Sequence, residues 1–336
     1  MKIGIVTYCE AVNYGAFLQA FSLGEYLKEK GHEVYYIKSF SFKMEYWKIH
    51  NLYAYHLDKV KFKNTFRKKW KQAQKCLNKT RKTKGYQLVV IGSDEMWQLA
   101  GKTTQPLPIY FGCGISADNI ITYAVCSNGT QIDDVKKYGF IKEGIKNIKE
   151  ISVRDKNTAE VYGKCTNKII RQDIDPTFLI DLSKYEVEPK LCNYLLVYTY
   201  SFADKEVAFT KQFAEQNKLL IVTVGNKFLW SDISIPASPF EVLGLFHKAK
   251  YVITDTFHGV ALSVHFNKEF YCFTQGKEKV IALLEEFNLK DRIVDQIDVP
   301  DQIKKIHYAS VNSRIKAKQE SAQKYLDKYL YNGLEV

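Results

Sequence analysis

The sequence predicts an α/β protein built as two doubly wound domains, and three observations carry that expectation. The chain opens on a strand, turn, helix and strand. A second alternation of strands and helices begins at Tyr194, after a connector. In both halves short apolar runs stop abruptly at polar corners, most sharply at Val252–Gly259. Strands of an open sheet end this way where the carboxyl edge receives a ligand.

Taken in order, Lys2–Thr7 is a short β-rich run, and Tyr8–Gly15 is a turn containing Asn13 and Gly15. In Ala16–Lys30 the apolar residues Phe17, Ala20, Phe21 and Leu23, with Leu27 one turn on, recur at helical spacing. Gly31 stops the helix and His32–Ile37 is the next strand, which completes a βαβ unit. The G-x-G-x-x-G fingerprint is absent, which argues against a dinucleotide site at this turn. Strands are predicted at 2–7, 33–38, 86–91, 120–125, 149–153 and 167–171. Tyr86–Ile91 ends in the polar corner Gly92–Gln98, and Ile120–Val125 ends in Cys126–Gly129. Asp175 to Pro189 reads as the connector. Beyond it strands are predicted at 194–198, 219–224, 251–253 and 270–273. Helices near 204–216, 239–248, 258–266 and 277–288 separate them. The expected domains are 1–185 and 190–300, facing across a cleft, with a charged helical tail over 301–336 that packs back on the first.

At 336 residues and 46% hydrophobic content the chain is long enough for two cores. No apolar run reaches membrane-spanning length, and the N-terminus enters a strand without the pattern of a signal peptide. The seven cysteines are scattered, without C-x-x-C spacing, which points to reduced thiols in the cytoplasm and away from zinc. The net charge of +12 is concentrated: Lys59 to Lys84 holds twelve Lys or Arg and no Asp or Glu, so the remainder is neutral. Such a block suits an anionic polymer, a polyphosphate or a membrane surface. Phe62, Phe66, Trp70 and Leu77 recur within it at roughly helical spacing. It therefore reads either as an amphipathic membrane-contacting helix or as a solvated surface helix whose aromatics face its own domain. No nucleic-acid recognition motif accompanies it, and nucleic acid is not an expected partner.

The corners, taken together and in order, resemble the polysaccharide pyruvyl transferase family. The matching segments are Asn13–Ala20, Gly92–Trp97, Tyr123–Ser127, Ser152–Asp155, Asp175–Thr177 and Thr254–Gly259. Lys279–Leu284 and Leu289–Ile293 resemble the family's closing pattern. The resemblance implies two Rossmann-like doubly wound domains similar to the glycosyltransferase B architecture. It also implies transfer of pyruvate from phosphoenolpyruvate to a sugar of a surface polysaccharide or its precursor, as a cyclic ketal. The His of the family's F-H-G motif corresponds to His258, and the Arg of its S-V-R motif to Arg154. Thr256 stands where many members carry an Arg expected to hold the donor.

That chemistry needs cations for a carboxylate and a phosphate, one acid and one base. His258 at a helix start suits the acid or a phosphate clamp, its plainer role being a cap. Arg154 suits bidentate anion binding, or an ion pair with Asp155 or Asp175. Asp94 and Asp255 are candidate bases, each also readable as a helix N-cap. Thr254, Thr256 and Gly259 complete the donor corner. Asn13, Tyr14 and Gly15 are candidates for the acceptor side, although Asn13 and Gly15 equally suit a tight turn. Trp97 suits stacking on a sugar or core packing, and Ser127 a place near the cleft or in a loop. No His, Cys or carboxylate cluster has metal-ligand spacing, so neither a metal nor a cofactor is expected beyond phosphoenolpyruvate as co-substrate. Phosphoenolpyruvate is expected between Arg154 and the His258 helix start, with a lipid-linked or nucleotide-linked sugar entering near Asn13 and Asp94. The expected location is cytoplasmic, with peripheral membrane contact through 59–84. Two other functions fit the same pattern: a sugar-nucleotide-dependent glycosyltransferase, and a glycan- or anion-binding module without turnover.

Overall fold

Apolar runs such as Leu88–Ile91 and Leu195–Val197 are buried throughout, as strands covered on both faces require. The computed structural model describes residues 1–38, 57–101, 106–295, 298–300 and 304–331. Of the tail expected over 301–336, residues 301–303 and 332–336 lie outside those residues.

The chain forms two compact units. The first gathers the described residues of Met1–Tyr46, Cys76–Ile180 and Ile315–Val336, and the second those of Trp47–Lys75 and Asp181–Arg314. In the first unit β1 (Lys2–Val6), β2 (Glu33–Ile37), β3 (Lys79–Thr80), β4 (Lys84–Ile91) and β5 (Ser116–Thr122) make a parallel sheet in the order β3-β2-β1-β4-β5. Single bridges from Ile121 to Glu150 and from Val125 to Val153 continue the pairing to β6 (Ile151–Val153), which pairs with β7 (Ile170–Gln172). In the second unit β8 (Tyr194–Tyr198), β9 (Leu220–Val224), β10 (Ile233–Ile235), β11 (Tyr251–Thr254) and β12 (Glu269–Cys272) repeat the pattern as β10-β9-β8-β11-β12. Each sheet therefore reverses its winding once, between β1 and β4 and between β8 and β11. These are the positions at which an open α/β sheet leaves a crevice at its strand ends.

Helices in chain order are α1 (Tyr14–Glu29), α2 (Leu57–Ala73), α3 (Ile132–Lys136), α4 (Gly139–Asn147), α5 (Lys156–Gly163), α6 (Asp204–Gln216), α7 (Pro239–Lys248), α8 (Phe257–His265), α9 (Glu278–Glu286) and α10 (Tyr308–Leu330). The edge strands β3 and β10, of two and three residues, were not foreseen.

The basic block is divided, which corrects its assignment to the first domain. Its residues 59–75 group with the second unit, while Lys79–Thr80 forms an edge of the first sheet. Helix α2 turns Phe66, Trp70 and Ala73 inward, and its Lys69 Nζ lies 2.6 Å from Glu241 Oε1 on α7. Its aromatics thus face its own unit. In α10, Tyr325 donates its hydroxyl to Thr122 O at 2.9 Å, and the Arg171 guanidinium lies 4.4 Å over the Tyr325 ring. No helix among the described residues is long and apolar enough to cross a membrane.

Candidate functional site

Each winding reversal carries a polar corner, and in each a strand-end threonine ties the two central strands together. In the second unit Thr254 donates its hydroxyl to Tyr198 O at 2.6 Å and accepts from Thr256 N at 3.2 Å. Thr256, not Asp255, is the N-cap of α8: its hydroxyl accepts from Gly259 N at 2.9 Å. The helix starts so close to the end of β11 that a Cβ on Gly259 would lie 2.0 Å from Thr254 Oγ1. Gly259→Ala is accordingly expected to lower stability by roughly 1–3 kcal/mol through overpacking, read as a fall in the thermal midpoint. Thr254 and Thr256 therefore build the corner. Thr254 is fully buried, which corrects its expected contact with a ligand.

His258 is half-buried on the first turn of α8, its ring edge-on to Phe257 at 5.2 Å. The helix start brings its first-turn N–H groups and the positive end of its dipole to this corner. Asp255, 3% exposed, holds Lys277 through two contacts: Nζ donates to the main-chain O and to Oδ2, both at 2.9 Å. The other oxygen, Oδ1, has no hydrogen-bond partner among the described residues. Lys277 itself is held by its own turn. Gln275 and Gly276 take left-handed backbone (φ 49° and 71°), Thr274 N donates to Asp295 Oδ1 at 2.6 Å, and the Gln275 side chain donates to Glu206 at 2.7 Å. No sequence spacing joined residues 255 and 277. The parallel pairing of β11 with β12, Thr254 opposite Cys272, places the two following turns side by side.

In the first unit, Thr7 donates its hydroxyl to Ser93 O at 3.1 Å across the reversal. The buried Gln19 of α1 braces the same turn, donating to Thr7 Oγ1 at 2.8 Å and accepting from Ser93 N at 3.2 Å. Gly92 has φ 126°, and a Cβ there would meet Tyr123 O at 2.2 Å. Asp94 lies at φ 83°, where a residue with a side chain is rarely found, and its Oδ1 accepts from Glu95 N at 2.9 Å. No helix follows, so the expected N-cap role of Asp94 is set aside. Ala124 and Asn128, after β5, also take left-handed backbone. Strained residues thus gather at the carboxyl ends of β4 and β5, as they do at functional sites.

Beneath this corner Arg154 Nη1 contacts Asp175 Oδ2 at 2.9 Å, with side chains 5% and 0% exposed. Of the two ion-pair partners considered for Arg154, the observed one is Asp175, since Asp155 caps α5. Burial opposes the Arg154 charge, but the carboxylates of Asp175, Asp94 and Glu95 outweigh it and hold the guanidinium ionised. Burial pushes the Cys126 thiol up to about 12, so it stays neutral beside that charge. Ser93 Oγ reaches Asp175 Oδ2 at 3.5 Å, linking the ion pair to the strained turn.

The remaining expected acceptor residues are placed differently. Asn13 caps α1, accepting from Ala16 N at 3.0 Å, while Tyr14 and Gly15 are buried in the first helical turn, so Gly15 is not in a tight turn. Trp97 is fully buried, stacked on Phe111 at 5.7 Å, and donates Nε1–H to Tyr110 O at 2.8 Å, which leaves no ring face for a sugar. Ser127 is fully buried against Thr158, 3.0 Å between hydroxyls, and does not line the corner. Among the described residues no three His, Cys, Asp or Glu side chains come together as a metal set.

Comparison with known proteins agrees with this architecture. The UDP-GlcNAc 2-epimerase of Methanocaldococcus jannaschii superposes with a TM-score of 0.52 at 9% identity, over 98% of this chain and 100% of that one. The Neisseria meningitidis enzyme of the same name, bound to UDP-GlcNAc, gives 0.51 at 7% identity over 99% and 100%. At these identities the likeness is one of fold, with Rossmann-type α/β units of the glycosyltransferase B-like kind. No curated protein matches by sequence. The model of the polysaccharide pyruvyl transferase family matches residues 13–276, a span that begins at the Asn13 cap and ends beside Lys277. The chain belongs to the polysaccharide pyruvyl transferase family.

Proposed function

We propose that this protein transfers pyruvate from phosphoenolpyruvate to a sugar of a surface polysaccharide or its precursor, as a cyclic ketal. The observation that carries this reading is the second-unit corner, where His258 at the start of α8 accompanies a lysine braced on a buried carboxylate. It offers a positive helix end, a fixed ammonium and an imidazole, a set suited to an anionic donor that must also be protonated.

In the reaction the methylene carbon of phosphoenolpyruvate takes a proton, for which His258 is the assigned donor. One sugar hydroxyl adds to the neighbouring carbon and gives up its proton. A second hydroxyl forms the other C–O bond while the bond to phosphate breaks. The two hydroxyl protons account for the new methyl hydrogen and the proton carried away with phosphate, so the sum is ketal and inorganic phosphate. Acceptor recognition is assigned to the first-unit corner, with Asp94 as base and Arg154 positioning the β4 turn through Asp175 and Ser93.

Lys277 tests the donor assignment. Lys277→Ala is expected to raise the dissociation constant for phosphoenolpyruvate roughly tenfold or more, the loss of one charge-assisted contact. Calorimetric titration of the folded variant reads this directly. Unchanged affinity would remove Lys277 from the donor site.

A further inference from the structure

We propose that the second unit carries a membrane-binding face, formed by α2 and the loop between β9 and β10, that docks on an anionic lipid bilayer. A groove of about 450 Å³ lies there, with Lys61, Phe62 and Thr65 on one wall and Lys227, Phe228 and Leu229 on the other. Leu229, at the loop tip, is 85% exposed, and Val60 on α2 is 41% exposed.

The tip is held outward by built contacts. Phe228 N donates to Ser234 Oγ at 3.1 Å, Ser231 Oγ donates to Phe228 O at 3.0 Å, and Trp230 stacks on Phe202 at 6.2 Å. A braced loop that presents leucine to water exposes apolar surface that the described residues of this unit do not cover. Beside it Lys61 and Lys68, seven residues apart on α2, are exposed on one helix face, with Arg67 and Lys71 on the next. No acidic residue interrupts 59–84. Asp232 is the acid at the groove, and its carboxylate accepts from Ile221 N at 2.7 Å.

A nucleic acid or a soluble polyphosphate would account for the lysines and leave Leu229 and Val60 unexplained. A bilayer with anionic headgroups accounts for both, by attracting the basic face and receiving the apolar tip at the headgroup boundary. The inference does not rest on the assigned reaction, because vesicle binding requires no turnover.

The test is co-sedimentation of the full chain with phosphatidylcholine vesicles, with and without phosphatidylglycerol, at low and raised salt. Binding is expected only with phosphatidylglycerol and is expected to weaken with salt. Leu229→Ser should reduce partitioning roughly tenfold, the loss of one buried leucine side chain. Lys61→Glu with Lys68→Glu should abolish it. Both changes lie at exposed positions, and retained thermal unfolding confirms the fold. In a variant that keeps Trp230 as its one tryptophan, the emission should shift to the blue on binding. Absence of binding to anionic vesicles, binding indifferent to Leu229→Ser, or binding to duplex DNA in place of vesicles would each overturn the proposal.

Discussion

Asp175→Ala is expected to destabilise the protein by about 3–5 kcal/mol, because it strands a guanidinium in the interior. Arg154 is 5% exposed on its side chain and its partner is fully buried, so little solvent is at hand to replace the carboxylate. The loss reaches further than one pair. Asp175 Oδ1 also accepts from Thr177 N at 3.0 Å and Thr177 Oγ1 at 2.8 Å, which fixes the single turn Pro176–Phe178. Denaturant unfolding reads the change. Asp175→Leu combined with Arg154→Met should recover much of the stability, since no charge is then left buried. The double variant still lacks the support of the Ser93 turn, so its activity should stay low while its fold returns. Recovery of both together would show that the pair serves packing alone.

His258→Ala should lower phosphate release from phosphoenolpyruvate by roughly a hundred- to ten-thousand-fold, the span associated with a positioned general acid. The residue is half-buried in the first turn of α8, and neither the Thr256 cap nor the close packing at Gly259 depends on it. Thermal stability should therefore change little, which separates this variant from Gly259→Ala at the same corner. A normal rate in the folded variant would remove the His258 assignment and leave the corner as an anion-binding helix start.

Much of the architecture was legible because it rests on local signals. Continuous apolar runs, each ended by a polar corner, located β1, β4, β8 and β11, and the winding reversals fall at those four strand ends. Strands β3 and β10 escaped because two or three residues at a sheet edge carry no periodicity. The sequence leaves Asp255 open as a base or as the cap of α8, and the cap falls one residue later, on Thr256, because Thr and Asp both suit a cap and only the backbone decides which occupies it. Trp97 and Ser127 follow strand ends, as ligand-contacting residues do. Yet Trp97 N is tied to Cys126 O at 3.1 Å and the turn folds the indole inward. Lys277 carries no local signature, and Gln19, although inside the matching segment Asn13–Ala20, gives no sign of its own contacts. Each reaches its corner only because parallel strands or a docked helix bring distant residues together.

The most direct test of the pyruvyltransferase assignment is to incubate the protein with phosphoenolpyruvate and a panel of lipid-linked and nucleotide-linked sugars, following phosphate release and acceptor mass together. The expected result is inorganic phosphate in an amount equal to modified acceptor, each acceptor heavier by one pyruvate less water. Release of a nucleoside diphosphate from a sugar nucleotide, with no mass gained from phosphoenolpyruvate, would contradict it and make the protein a glycosyltransferase on the same fold.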